Sequence, residues 1–281
     1  MSYKTIVAIL QSEADLPRVL DFTLPFAARN QAHLIGLHAE SLPIAMATPM
    51  GGPAVDYSME ISAEAERRNA ELKAAFERKC AAEGVSHEWR GYENISGDSA
   101  ISGIESARTA DITIAQQNDP DSASNMAADV EALVFEAGRP TLLVPYTFRG
   151  RLDTPFKKPL VAWNGSKEAA RATFDALSLL KEAGAVEVLT IDAEDTASQD
   201  GSVAGAAIAE ALARHGVEVT LRAEHSGSLS HCDAISNRIA DTGSDLLVMG
   251  AYGRSRISEF VFGGVTRAML QTMTVPTLMS R

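Results

Sequence analysis

Residues 246–266 read LLVMGAYGRSRISEFVFGGVT, and this stretch decides the fold. Four apolar residues, Leu246 to Met249, stop at Gly250, and Gly253 follows after two intervening residues. Nine residues on, Gly263 and Gly264 introduce Val265 and Thr266 at the head of a segment with helical periodicity. The pattern reads as strand, glycine loop, helix start. Glycines let backbone N–H groups approach an anion closely, and a helix N-terminus adds unpaired donors and positive dipole. A phosphate-binding turn is therefore the first expectation.

Working outward, the chain is a repeat. Ile6-Val7-Ala8-Ile9 lies over Leu160-Val161-Ala162-Trp163 at an offset of 154, with Ser12 on Ser166 and Asp21 on Asp175. Asp111-Ile-Thr-Ile-Ala lies over Asp245-Leu-Leu-Val-Met at an offset of 134, so the first copy carries about twenty extra residues. These fall most simply within 41–60, a Pro/Gly/Met-rich stretch expected to be a long loop. The expected organisation is a first domain over 1–148, a linker over 149–158 and a second domain over 159–281.

Each copy alternates short apolar strands with amphipathic helices. Strands are expected at 5–10, 33–38, 86–92, 111–115 and 141–144, then at 160–163, 186–191, 218–222, 246–249 and 277–279. Helices are expected at 16–29, 58–83, 98–109 and 125–137, then at 166–183, 203–215, 230–242 and 264–273. Such alternation implies an α/β fold: two tandem doubly wound domains, each a five-stranded parallel sheet flanked by helices. Ligands of such sheets bind beyond the carboxyl ends of the strands, where the winding reverses. In an order 3-2-1-4-5 that crevice lies between strands one and four. It brings Trp163-Asn164-Gly165-Ser166 to the glycine loop.

Composition narrows the function. The 281 residues carry a net charge of −12, with pI near 5.0, which argues against nucleic acid or an anionic membrane as principal partner. There is no apolar run long enough to span a bilayer and no recognisable secretory leader, so a cytoplasmic protein is expected. Cys80 and Cys232 stand far apart and read as free thiols. His225, His231, Cys232 and Asp233 read as a polar loop entering a helix rather than as a metal site. Neither GxxxxGK[ST], GxSxG nor HExxH occurs.

The spacing Gly250-x2-Gly253-x9-Gly263, preceded by a strand and followed by a closing Val-Pro-apolar strand, resembles the nucleotide-binding motif of the universal stress protein family. The resemblance implies the adenine nucleotide alpha hydrolase-like sheet, order 3-2-1-4-5, and ATP, ADP or AMP as ligand, with or without Mg. Carried over by position, Gly250, Gly253 and Gly263 would wrap the phosphates, with Val265 and Thr266 donating from the helix start. Gly264 stands where the family usually has Ser or Thr. Met249 would line the ribose side and Ile191 would pack on adenine. Asn164 stands near the position of a family Asp that contacts the adenosine, flanked by Ala162 and Trp163 on strand one. Trp163 also reads as a core residue. Arg254 and Arg256 read either as phosphate clamps or as solvated loop residues.

The first copy departs from this pattern: Gln116 replaces Gly250, Ala127 and Ala128 replace Gly263 and Gly264, Leu10 replaces Asn164, and Asp119 and Asp121 enter the loop. One competent site, in the second domain, is expected. The leading reading is a stress-response sensor or switch in which one chain forms the pair that single-domain relatives make as dimers, with a further homodimer left open. A weak Mg-dependent ATPase and a nucleotide-free interaction or lipid-binding module remain alternatives.

Overall fold

The computed structural model describes residues 3–41, 54–94, 99–119, 130–193, 204–252 and 264–281. The chain divides into two compact units: Tyr3–Ala137 with Arg149–Leu152, and Gly138–Phe148 with Asp153–Arg281.

The first unit contains β1 (Thr5–Ile9), α1 (Leu16–Asn30), β2 (His33–Ser41), α2 (Ala54–Glu83), β3 (His87–Asn94), α3 (Ser99–Arg108), β4 (Ile112–Gln116) and α4 (Val130–Glu136). Its strands lie in the order β3-β2-β1-β4, all parallel. β1 is buried from Ile6 to Ile9 and β4 from Ile112 to Ala115, as strands covered on both faces require. Helix α2 begins at Ala54, so the expected loop over 41–60 is shorter than its composition suggests. Residues 42–53 lie outside the described residues.

The second unit contains β5 (Thr141–Val144), β6 (Pro159–Ala162), α5 (Lys167–Asp175), α6 (Leu177–Glu182), β7 (Val186–Ile191), α7 (Ala206–Arg214), β8 (Val219–Glu224), α8 (His231–Thr242), β9 (Leu246–Gly250), α9 (Val265–Thr272) and β10 (Thr277–Ser280). Strands β8-β7-β6-β9-β10 are all parallel, which is the 3-2-1-4-5 order expected for the second repeat. The single helix expected over 166–183 is interrupted at Ala176. The Thr173 hydroxyl donates to the Ala169 carbonyl at 2.7 Å, a bond back to the preceding turn of the kind that bends helices.

β5 is the addition. By sequence it closes the first repeat, yet it sits in the second unit and pairs antiparallel with β10, Leu142 opposite Leu278. Its residues TLLV are all buried, and the pairing covers an apolar edge that β10 would otherwise present. The expected linker is divided as well. Arg151 makes a bidentate ion pair with Glu83 at 2.7 and 2.9 Å, and the Leu152 N–H donates to the Asp21 carbonyl at 3.3 Å, both within the first unit.

One repeated device fixes the sheet of each unit. The Asp111 carboxylate accepts the N–H groups of Lys4 and Thr5 at 2.6 and 2.9 Å, tying the start of β1 to β4. Asp245 does the same between β6 and β9, accepting from Lys157 and Lys158 at 2.7 and 2.9 Å. The acceptance shifts back one residue because Pro159, which stands where Thr5 stands, has no N–H.

Candidate functional site

β6 has β7 on one side and β9 on the other, so its carboxyl end is the topological switch point of the second unit. Ala162 lies opposite Met249 in the register, which puts the ends of the two strands side by side.

The chain leaves β6 through a tight turn. The Trp163 N–H donates to the Leu189 carbonyl at 2.8 Å. The Asn164 carboxamide oxygen accepts the Ser166 N–H at 3.1 Å, Gly165 takes φ +73°, and Ser166 caps α5 by accepting the Ala169 N–H at 3.1 Å. Asn164 is exposed, while Trp163 and Ile191 are half-buried. The Trp163 ring packs towards α7, its Cδ1 lying 3.5 Å from where a Cβ on Gly205 would stand.

The chain leaves β9 against α5. A Cβ on Gly250 would lie 2.4 Å from the Ala169 nitrogen and 2.5 Å from the Glu168 carbonyl carbon. Gly250 is thus required by helix–strand packing, independently of any ligand. Glu168 is itself buried, 3% exposed, in the first turn of α5, where the helix dipole favours a carboxylate.

Beyond Gly250, the Ala251 N–H donates to the Ser280 carbonyl at 2.9 Å. Tyr252 adopts the left-handed region at φ +55°, and its N–H donates to the Thr266 hydroxyl oxygen at 3.1 Å. That bond joins the two ends of the glycine segment across fourteen residues. Gly264 is the N-cap of α9 and itself offers no side-chain acceptor to the first-turn N–H groups. By contrast α5 and α8 are both capped, by Ser166 and Ser230. Gly253, Arg254, Arg256 and Gly263 lie outside the described residues.

A polar cluster adjoins this edge, centred on Asp192, which the sequence did not single out, and including His231, which it read as part of a polar loop. Asp192, directly after Ile191, accepts the Ser226 N–H at 3.0 Å and the Ser226 hydroxyl at 2.5 Å, and meets His231 Nε2 at 3.0 Å. These bonds hold its carboxyl at about 2, the Ser226 hydroxyl first, then the Ser226 N–H, with His231 adding to them. Nearby, Arg238 clasps α8 to β7 through a bidentate pair with Glu187 at 2.7 and 2.6 Å. Cys232 is buried, its sulfur 3.6 Å from the Thr272 hydroxyl, and burial pushes its thiol up. Among the described residues no group of three or more His, Cys, Asp or Glu is arranged to hold a metal ion. Among the same residues no helix is long and apolar enough to cross a membrane.

The corresponding edge of the first unit carries polar side chains with partners of their own. Gln116, in the place of Gly250, accepts from the Arg18 guanidinium. His38, 1% exposed, donates from Nδ1 to the Leu10 carbonyl at 2.8 Å. Gln11 and Gln117 are buried beside them. Asp15 accepts the N–H groups of Gln11 and Ser12 at 3.2 and 2.9 Å, and burial pushes its carboxyl above the usual range.

The second unit is therefore a doubly wound α/β domain whose candidate site opens at its switch point. Residues 155–281 match the universal stress protein family. A universal stress protein from Synechocystis sp. is 28% identical over 161 residues, covering 56% of this chain and 52% of that protein, so the match spans about half of that relative's length. A universal stress protein from Archaeoglobus fulgidus has the same fold, with a TM-score of 0.72 at 18% identity, over 99% of this chain and 96% of that one. A functionally unknown protein from Pseudomonas aeruginosa aligns with a TM-score of 0.57 at 18% identity, over 99% of this chain and 92% of its own. The second repeat is a universal stress protein domain, and the chain carries it together with a first repeat of related topology.

Proposed function

We propose that the second unit binds one adenine nucleotide, ATP, ADP or AMP, at the switch point, and acts as a cytoplasmic stress-response sensor or switch. The observation that carries this reading is the start of α9: its N-cap is Gly264, which has no side chain to accept from the first turn, and Thr266 ties it to Tyr252 beyond the end of β9. Unpaired N–H groups at a helix N-terminus favour an anion, and a phosphate supplies both charge and acceptors. In this reading Gly250, Gly253, Gly263, Gly264, Val265 and Thr266 surround the phosphates, with Arg254 as a clamp. Ala162, Trp163, Asn164, Met249 and Ile191 flank the nucleoside. Any Mg²⁺ would arrive with the nucleotide, held largely by its phosphates.

The pairing of two repeats in one chain, one with a site and one without, belongs to the same proposal. Signalling would come from a change, on nucleotide binding, in the surface offered to a partner. Native mass spectrometry of the purified protein tests the reading. A bound species of adenine-nucleotide mass, lost on Gly263→Val, is expected. A protein that carries no nucleotide and takes none up from millimolar ATP, ADP or AMP contradicts it.

A further inference from the structure

The turn that leaves β6 carries the chain's only Asn-Gly pair. Asn164 precedes Gly165, whereas each of the other six asparagines precedes a residue with a side chain. Asn164 and Gly165 are both exposed to solvent. The pair is also folded on itself. The Asn164 carboxamide oxygen accepts the Ser166 N–H at 3.1 Å, a bond that reaches across Gly165, whose φ is +73°. The carboxamide therefore lies back along the Gly165 peptide unit. Among the described residues the Gly165 N–H has no hydrogen-bond acceptor. Its nitrogen is lightly shielded, because glycine has no Cβ beside it.

One turn thus holds the parts of an intramolecular acyl transfer. Asn164 Cγ is the electrophile and the Gly165 nitrogen is the nucleophile one residue away. The Ser166 N–H already donates to the oxygen that gains charge when the two join. We propose that Asn164 is a self-modification site, at which the Gly165 nitrogen displaces the carboxamide nitrogen and water completes deamidation to aspartate or isoaspartate. In the first step the Gly165 N–H loses its proton to hydroxide and the N–Cγ bond forms. The Cγ–Nδ2 bond breaks, and the nitrogen takes a proton from water and leaves as ammonia. The product is a cyclic succinimide. Water then opens it at Cγ, which gives aspartate, or at the main-chain carbonyl, which gives isoaspartate with a main chain one carbon longer. One water is consumed, one ammonia is released, and nothing is oxidised or reduced.

The place of the turn gives the reaction a consequence. The Trp163 N–H is fixed to the Leu189 carbonyl at 2.8 Å, and Ser166 caps α5 by accepting the Ala169 N–H at 3.1 Å. An extra main-chain carbon between these anchors displaces one of them. It arrives with a new carboxylate at the switch point, where β6 runs between β7 and β9. On the nucleotide reading above, on which this consequence rests, isoaspartate is a one-way off-switch: the lengthened turn and the added negative charge both disfavour an anionic nucleotide.

The modification is tested by peptide mapping of the native protein held at 37 °C and pH 8. The peptide containing Asn164 should gain about 1 Da, OH in place of NH2, before any other asparagine peptide does, and electron-transfer fragmentation should show isoaspartate. Conversion should be slower at pH 6, because the attacking nitrogen must lose its proton. In Asn164→Gln, whose extra methylene disfavours ring closure, the same peptide should keep its mass. An Asn164 that stays intact in the native protein, under conditions where the chain unfolded in urea converts, overturns the proposal. The off-switch is measured on separated forms. The converted protein carries one more negative charge, so ion exchange resolves it from the parent, and calorimetry with ATP should find it about tenfold weaker, the worth of one hydrogen bond to the ligand. Equal affinity of the two forms overturns the off-switch and leaves the modification standing. Absence of ATP binding in freshly purified, unconverted protein removes the nucleotide reading and the off-switch with it, while the mass result decides the modification alone.

Discussion

The two repeats build the same sheet edge and finish it in opposite ways. In the second, β9 ends in a glycine against α5, and α9 begins at an N-cap glycine. In the first, β4 ends in Gln116, bound by Arg18, and His38, Gln11 and Gln117 are buried. The strand framework beneath is shared down to the aspartate that ties its first and fourth strands, Asp111 and Asp245. Duplication thus preserved the scaffold while the edge chemistry diverged. Among the described residues, the first edge carries side-chain partners at the end of β4, and the second begins α9 at a glycine that offers none.

The largest break in this comparison should come from Gly250→Ala. Its Cβ would overlap the α5 backbone, which cannot move aside as a flexible side chain would. A loss of about 1–3 kcal/mol from the second unit, read by urea unfolding, is expected together with loss of nucleotide affinity. Gln116→Ala in the first repeat should cost only about 1 kcal/mol, the worth of one hydrogen bond, and leave nucleotide affinity alone. A Gly250→Ala protein of unchanged stability would refute the packing role.

Asp245→Ala and Asp111→Ala sharpen the comparison where it should show no difference. Each removes an acceptor for two N–H groups, and each should destabilise its own unit by about 1–3 kcal/mol in the same assay. Unequal losses would show that the shared framework is weighted towards one repeat.

Acid should act unevenly. The Asp192 carboxyl is held at about 2, below its ordinary value of 3.8, so its contribution to stability is complete above about pH 4 and fades as pH falls towards 2. Asp15 of the first repeat is shifted the other way by burial. Its raised value opposes folding at neutral pH and is relieved in acid. Below pH 3, exchange at Ser226 should therefore accelerate before exchange in the turn after β1 does. Simultaneous loss would contradict the asymmetry. The smallest effect concerns the thiols. Cys80, pushed up to about 12 chiefly by burial, and Cys232, also raised, should both react with a thiol reagent at pH 8 far more slowly than free cysteine. Rapid labelling of either would show that its burial is transient.

Much of this was legible before any coordinates. The α/β fold of the second repeat follows from five apolar runs separated by helical spacing, its 3-2-1-4-5 order was what the family resemblance implied, and the switch point follows from the order. Strand β5 was legible as a strand, but its antiparallel pairing with β10 was not: Thr141–Val144 is apolar enough to extend any sheet edge, and sequence carries no label for which one. Gly250 was half legible. A glycine that lets phosphate approach and a glycine that lets a helix approach look the same in a sequence, and only the Ala169 contact distinguishes them. The Asp192 cluster was hidden because its members come from two connections brought together by the pairing of β7 with β8. His231 looked like an ordinary loop residue for that reason.

The central claim is one nucleotide site per chain, in the second repeat. Isothermal titration of nucleotide-stripped protein with ATP tests it most directly. The expected result is a single site per chain, with Kd below about 1 mM, or roughly 4 kcal/mol of binding free energy, abolished by Gly263→Val and unchanged by Gln116→Ala. Two sites per chain, no binding, or binding indifferent to Gly263→Val would contradict it.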